Sequence, residues 1–301
     1  MGPVIVTAPE PRYVAPTRRD RIGRIWAPVY IDGKGPFRLV LDSGATSSGI
    51  TARVATELGL PLDTQHEVLL RGVVGAKAVP VVHITSMTVG DLSFGTRELP
   101  VMADALGGAD GILGTDGMGN RRILIDFHHD LITIARSRNQ RAPTGYITIP
   151  FKLVRHELLV ANAWVGDVRA DAIIDTGGQV TIANLAMQRA LLAQRKHLQQ
   201  QLQQGKVMDV NRASQPGASA DVPPILLGTA YADGTIKISN DRIVFGDMHI
   251  FEHWHMTDRP AMLIGMDTLG RLDILIIDYR RHELQLLLDN PPNEGAGGFA
   301  G

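Results

Sequence analysis

Two segments of the chain carry the same short pattern of residues able to do acid–base chemistry. Leu39-Val40-Leu41-Asp42-Ser43-Gly44-Ala45-Thr46 and Ala172-Ile173-Ile174-Asp175-Thr176-Gly177-Gly178 each run from apolar residues into Asp, a hydroxyl residue, Gly and a small residue. An Asp at the end of an apolar strand is costly to ionise. Two such acids on matching strand ends can share one proton. One then accepts a proton from water while the other donates a hydrogen bond to an electrophile.

Other chemistries have weaker support. The chain has no cysteine, so disulfides, thiolate nucleophiles and thiolate metal sites are excluded. A serine nucleophile elbow is absent. Gly33–Gly35 has no phosphate-loop context. His249, His253 and His255 alternate, and on a late strand they would share one face able to take zinc. Surface or packing histidines are the preferred reading there, and no metal or cofactor is expected. His128 and His129 are expected on opposite faces of a strand. Asp32 and Asp167 read as turn residues, Asp126 and Asp278 as strand ends, and Asp116 and Asp267 as caps of following helices.

The elements that must position the two acids form a long internal repeat. The first copy opens with Pro28–Gly35, delivers Asp42 at the end of the strand Phe37–Leu41, and continues into a helix Thr51–Leu58 closed by Gly59. Strands over Val79–Ile84 and Met87–Val89, a Gly90-Asp91 turn, Gly111-Ile112-Leu113-Gly114 and a strand Ile123–Asp126 follow. The second copy repeats the order with Leu158–Val165, a Gly166-Asp167 turn, Ala170–Ile174 and Asp175. It continues with a helix from about Asn184 to Gln204 stopped by Gly205, a strand Ile243–Phe245, a Gly246-Asp247 turn, Leu263-Ile264-Gly265 and Ile274–Asp278. The second copy is expected to carry an insertion over residues 187–224, with no counterpart in the first. Short β-branched strands and few helices predict a mostly β fold of two similar lobes related by a pseudo-twofold axis. The expected division is an extended leader 1–25, an N-terminal lobe 26–140, a linker 141–148, a C-terminal lobe 149–290 and a disordered tail 291–301.

Composition bounds the partners. The 301 residues are 44% hydrophobic and 20% charged, with 30 basic and 31 acidic side chains and 5% aromatics. A near-neutral chain with few aromatics offers no surface for nucleic acid or for an anionic membrane. No window reaches the roughly 18 apolar residues of a membrane-crossing helix. A secretory signal is expected to be absent or removed. The odd start leads to the expectation of a periplasmic or membrane-exterior location.

With these motifs in hand, the chain resembles the retropepsin-like aspartic proteases, in the bacterial, cysteine-free branch of that family. The resemblance covers about residues 26–288. It rests on Asp42-Ser43-Gly44-Ala45-Thr46, Leu58-Gly59-Leu60, Val89-Gly90-Asp91 and Gly111-Ile112-Leu113-Gly114-Thr115-Asp116, with the Asp-hydroxyl-Gly and apolar-apolar-Gly motifs recurring in the same order.

The resemblance implies a bilobal acid-protease fold, with two β-barrel-like lobes fused in one polypeptide as in pepsin. It implies an aspartic endopeptidase that binds and cleaves polypeptide as a monomer, with Asp42 and Asp175 as the catalytic pair. Ser43 and Thr176 would lock the two loops across the axis. Gly44 and Gly177 would bring backbone amides to the carboxylates, beside Ala45 and Gly178. Pepsin-type enzymes place Ser or Thr where Ala45 and Gly178 stand, so a mildly acidic to near-neutral optimum is expected. The Gly-bearing tip Gly72-Val73-Val74-Gly75 is the expected substrate-covering flap, and Leu226–Gly234 its counterpart. The alternative activity is a catalytically weak or inactive peptide-binding module with the same fold.

Overall fold

The structure is a computed structural model that describes residues 4–7, 26–89, 92–104, 107–129, 131–154, 158–195, 197–209, 211–228, 234–239 and 242–288. The expected turn Gly90-Asp91, most of the leader and the tail 291–301 lie outside the described residues. The fold is mostly β, in two large sheets that do not close into barrels.

The strands Lys34–Leu41 and Val168–Ile174 lead into the two acids. Each ends in three consecutive buried residues, Leu39–Leu41 and Ala172–Ile174. Continuous burial replaces alternation there because both faces of the strand are covered.

The strand pairing of the first half recurs in the second. Gly111–Leu113 lies parallel to Lys34–Leu41 and antiparallel to Gly49–Thr51. In the second half, Ala261–Ile264 lies parallel to Val168–Ile174 and antiparallel to Ile182–Ala183. Gly49–Thr51 runs parallel to Arg97–Met102, as Ile182–Ala183 does to Ile243–Phe245.

A helix follows in each half, Ala52–Leu58 and Leu185–Gln194. The first ends on Gly59, whose φ of 71° is a left-handed cap. The second starts on Asn184, whose side chain accepts from the Met187 amide at 2.8 Å.

The long helix expected up to Gln204 is not formed. A helix Leu185–Gln194 and a short turn of helix Leu198–Gln201 are followed by a strand Gln203–Met208, which pairs with Ser214–Ala220. That hairpin corresponds to Asp63–Arg71 with Ala76–Ile84 in the first half, since Ala76–Ile84 pairs with Arg97–Met102 and Ser214–Ala220 pairs with Ile243–Phe245. Residues 203–220 are therefore a counterpart of the first hairpin rather than an insertion. The described part of Leu226–Gly234 correspondingly does not take the place of that hairpin. Ile225–Leu227 pairs with Leu158–Val165 and with Ile236–Ile238, as Met87–Val89 pairs with Trp26–Ile31 and Leu92–Ser93 in the first half. Residues 229–233 lie outside the described residues.

The halves share a sheet. Arg121–Asp126 pairs antiparallel with Ile274–Asp278, which continues through Glu283–Leu287 to Ile147–Val154. Val4–Thr7 adds to the far edge of this sheet beside Leu131–Arg136, so the leader contributes an edge strand. Ile123, Ile125, Leu275, Ile277, Leu284 and Leu286 are all at most 2% exposed, and they join the two halves in one apolar core.

Candidate active site

Asp42 and Asp175 are set by equivalent backbone contacts. The Asp42 amide donates to the Leu113 carbonyl and the Asp175 amide to the Ile264 carbonyl, both at 3.0 Å. Each chain then turns sharply around its own acid. Asp42 Oδ1 accepts from the Gly44 and Ala45 amides at 2.9 and 3.0 Å. Asp175 Oδ1 accepts from the Gly177 and Gly178 amides, both at 2.9 Å. Asp175 is buried and Asp42 half-buried.

The two turns are interlocked. The Ser43 hydroxyl donates to the Ile174 carbonyl and the Thr176 hydroxyl to the Leu41 carbonyl, each at 2.7 Å. The Ser43 and Thr176 amides each donate to the other's hydroxyl oxygen. All four bonds are buried, where a bond is worth most and an unmade one costs most.

Each carboxyl stands against the opposite loop. A Cβ built on Gly44 would lie 2.9 Å from Asp175 Cγ, and one on Gly177 would overlap the Asp42 carboxyl. Only glycine at both positions lets the loops approach this closely.

A supporting layer, unread in the sequence, lies behind the turns. The Ser48 hydroxyl donates to Asp116 Oδ1 at 2.7 Å and accepts from the Gly114 amide at 3.1 Å. In the second half the Thr181 hydroxyl donates to Asp267 Oδ1 at 2.6 Å and accepts from the Gly265 amide at 3.2 Å. Asp116 and Asp267 therefore do not cap following helices. Asp267 lies within the helix Met266–Leu269, and Asp116 is also bonded by Arg97. Their task is to tie the apolar-apolar-Gly segments to the acid-bearing turns. The signal was present: the hydroxyl stands six residues past the acid in both copies, and a Gly-x-Asp follows in both.

The first hairpin spans the site. Leu70 packs with Ala45 against a cluster containing Val40 and Ile112, which flank Asp42. Val73 and Val74 pack against a second cluster containing Ile173 and Leu263, which flank Asp175. The tip is closed by the Gly72 amide donating to the Gly75 carbonyl at 2.7 Å. This segment thus crosses from one acid's surroundings to the other's.

Tyr279 lies near Asp42. Burial, and then the charge of Asp42, push its phenol far above its usual range, so it stays neutral. Its hydroxyl is buried without a hydrogen-bond partner among the described residues.

His249–His253 is a helix rather than the expected strand, so the alternative of three imidazoles on one strand face does not arise. No metal-binding group of three or more side chains occurs among the described residues. His128 and His129 occupy a turn rather than a strand, and contact Asp273 and Asp126 respectively. A recess of about 320 Å³ is lined by Lys34, Arg38, Arg53 and Asp110, toward the start of the strand that ends before Asp42. Arg53 and Arg38 are paired there with Asp110, and the Lys34 ammonium donates to the Leu58 carbonyl.

Residues 27–116 match the family model described as aspartyl protease. The matched aspartyl protease region contains Asp42, the first hairpin and Gly111–Gly114. A search of the curated proteins found no match. No described helix is long and apolar enough to cross a membrane.

Proposed function

We propose that the chain is an aspartic endopeptidase whose single active site is built from two fused retropepsin-like lobes, Asp42 coming from the first and Asp175 from the second. The observation that carries this reading is the reciprocal bonding of Ser43 and Thr176, which holds two acid-bearing turns of the same construction face to face. One chain supplies both acids, so the site is complete in a monomer.

Two carboxyls set against each other in a partly dry site hold one proton jointly. The ionised partner accepts a proton from a bound water as the water oxygen attacks the scissile carbonyl carbon. The protonated partner donates a hydrogen bond to the carbonyl oxygen. The tetrahedral species collapses with proton transfer to the departing amine, and no bond forms to the protein. The backbone amides of residues 44, 45, 177 and 178 fix both carboxylates in advance. The polypeptide lies under Gly72–Gly75. At positions 45 and 178 only amides serve the acids, with no side-chain hydroxyl, which favours an optimum in the mildly acidic to neutral range.

The test is cleavage of a peptide library across pH, with and without a statine-type transition-state analogue. Cleavage abolished by the analogue supports the reading. A protein that binds the peptides and cleaves none at any pH is a binding module, and the peptidase reading fails.

A further inference from the structure

The tips of the two hairpins are joined through one buried carboxylate. Asp209 directly follows the strand Gln203–Met208 and is 8% exposed. Its two oxygens serve different hairpins. Oδ1 accepts from the Asn211 and Ala213 amides at 2.9 and 3.0 Å and shapes its own tip. Oδ2 accepts from the Val74 and Gly75 amides at 3.1 and 3.2 Å, across in the first hairpin. A side chain on Gly72 would overlap this carboxylate, so glycine is needed where the tips meet.

Further contacts cross between the halves at the same place. The Ile250 amide donates to the Val73 carbonyl at 3.1 Å. The Asn211 side chain donates to the Leu70 carbonyl at 3.3 Å. The Arg212 guanidinium bonds the Asp104 carbonyl. Beneath them Val73 and Val74 rest on the apolar cluster that includes Val207, Phe251 and Trp254. An ionised acceptor with backbone donors makes the stronger kind of hydrogen bond, so the Asp209 contacts dominate this set.

We propose that Asp209 is a latch that couples the two hairpins and holds the first one shut across the Asp42–Asp175 pair. Its placement over a substrate rests on the peptidase reading above. For a polypeptide to enter, Oδ2 must release the Val74 and Gly75 amides and the Val73 carbonyl must release Ile250. The first hairpin then lifts, and the same bonds re-form over the bound chain. Asp209 is thus a positioning residue: it touches the hairpin that covers the substrate rather than the reacting atoms.

Amide hydrogen exchange on the whole substrate-free protein tests the latch directly. Asp209→Asn can keep one acceptor for its own tip while turning an amide donor toward Val74 and Gly75. Gly72→Ala separates the tips without altering Asp209. Both variants are expected to speed exchange at Val74 and Gly75 at least about tenfold, with the Ser43 and Thr176 amides unchanged. Both are also expected to raise KM for a peptide about tenfold with kcat within about twofold. Wild-type exchange rates at Val74 and Gly75 in both variants would overturn the latch, and faster exchange with unchanged KM would overturn its positioning role. Should the wild-type protein cleave nothing, exchange still decides the latch, and it is the peptidase reading that falls.

Discussion

Ser43 and Thr176 bond each other through the same pair of groups: the Ser43 amide reaches the Thr176 hydroxyl at 3.0 Å, and the Thr176 amide reaches the Ser43 hydroxyl at 3.1 Å. Each hydroxyl also serves a carbonyl of the opposite strand. Ser43→Ala strips the Ile174 carbonyl and the Thr176 amide of partners in a buried site, and Thr176→Val does the same to the Leu41 carbonyl and the Ser43 amide. Each substitution is expected to lower stability by about 2–4 kcal/mol in urea unfolding. The double variant should lose about 1–2 kcal/mol less than the two losses added, because both hydroxyls brace the same pair of turns and a turn already loosened by one loss has less to lose from the other. Strict additivity would show that the turns are not coupled.

Gly178→Ala probes how tightly the second turn wraps its acid. The added methyl would lie 2.6 Å from Asp175 Oδ2 and 3.2 Å from Leu263 Cδ2, so the carboxyl must move. We expect kcat to fall at least about tenfold, since misplacing a reacting group is costly. Stability should change by less than about 1 kcal/mol, since Gly178 is partly exposed. Unchanged kcat would mean that the Asp175 position is not critical.

The acid-bearing turns were legible in the sequence because local chemistry makes them. Apolar residues, Asp, a hydroxyl and Gly specify a strand ending in a tight turn, and the helix Ala52–Leu58 announced itself through its apolar spacing and Gly59. The second hairpin was not legible. Gln199–Gln204 reads as helix by propensity, yet pairing of Gln203–Met208 with Ser214–Ala220 overrides it. Its exposed residues show no apolar alternation to reveal the strand. The alternating histidines misled similarly. Phe251 and Trp254, three apart and both buried, carried the helical signal that the His pattern masked. Asp209 left no signal at all, since a contact between two distant tips has no periodicity.

Acid should weaken the sheet shared by the halves through Glu283. The Arg281 guanidinium bonds its carboxyl and holds it below the usual carboxylate range, against the opposing effect of burial. A carboxyl depressed in the folded state adds stability above its unfolded pKa, and loses it as pH falls through the folded one. Stability measured from pH 5 down toward pH 3 should therefore drop less steeply in Glu283→Gln than in wild type. Equal slopes would remove Glu283 from the acid response.

Tyr279→Phe is expected to stabilise the protein. The hydroxyl is buried without a partner among the described residues, and its removal relieves a desolvated polar group while keeping the ring edge-on to Phe151, with centroids 6.1 Å apart. A gain of about 1 kcal/mol in urea unfolding is predicted. A loss of similar size would mean that the hydroxyl is hydrogen-bonded in solution.

The most direct measurement is peptide cleavage by wild type, Asp42→Asn and Asp175→Asn, each confirmed as folded. If the two acids work as one proton-sharing unit, either substitution alone lowers kcat by at least about a thousandfold, and the double variant is scarcely worse than either single one. Cleavage by either single variant at the wild-type rate would contradict the account.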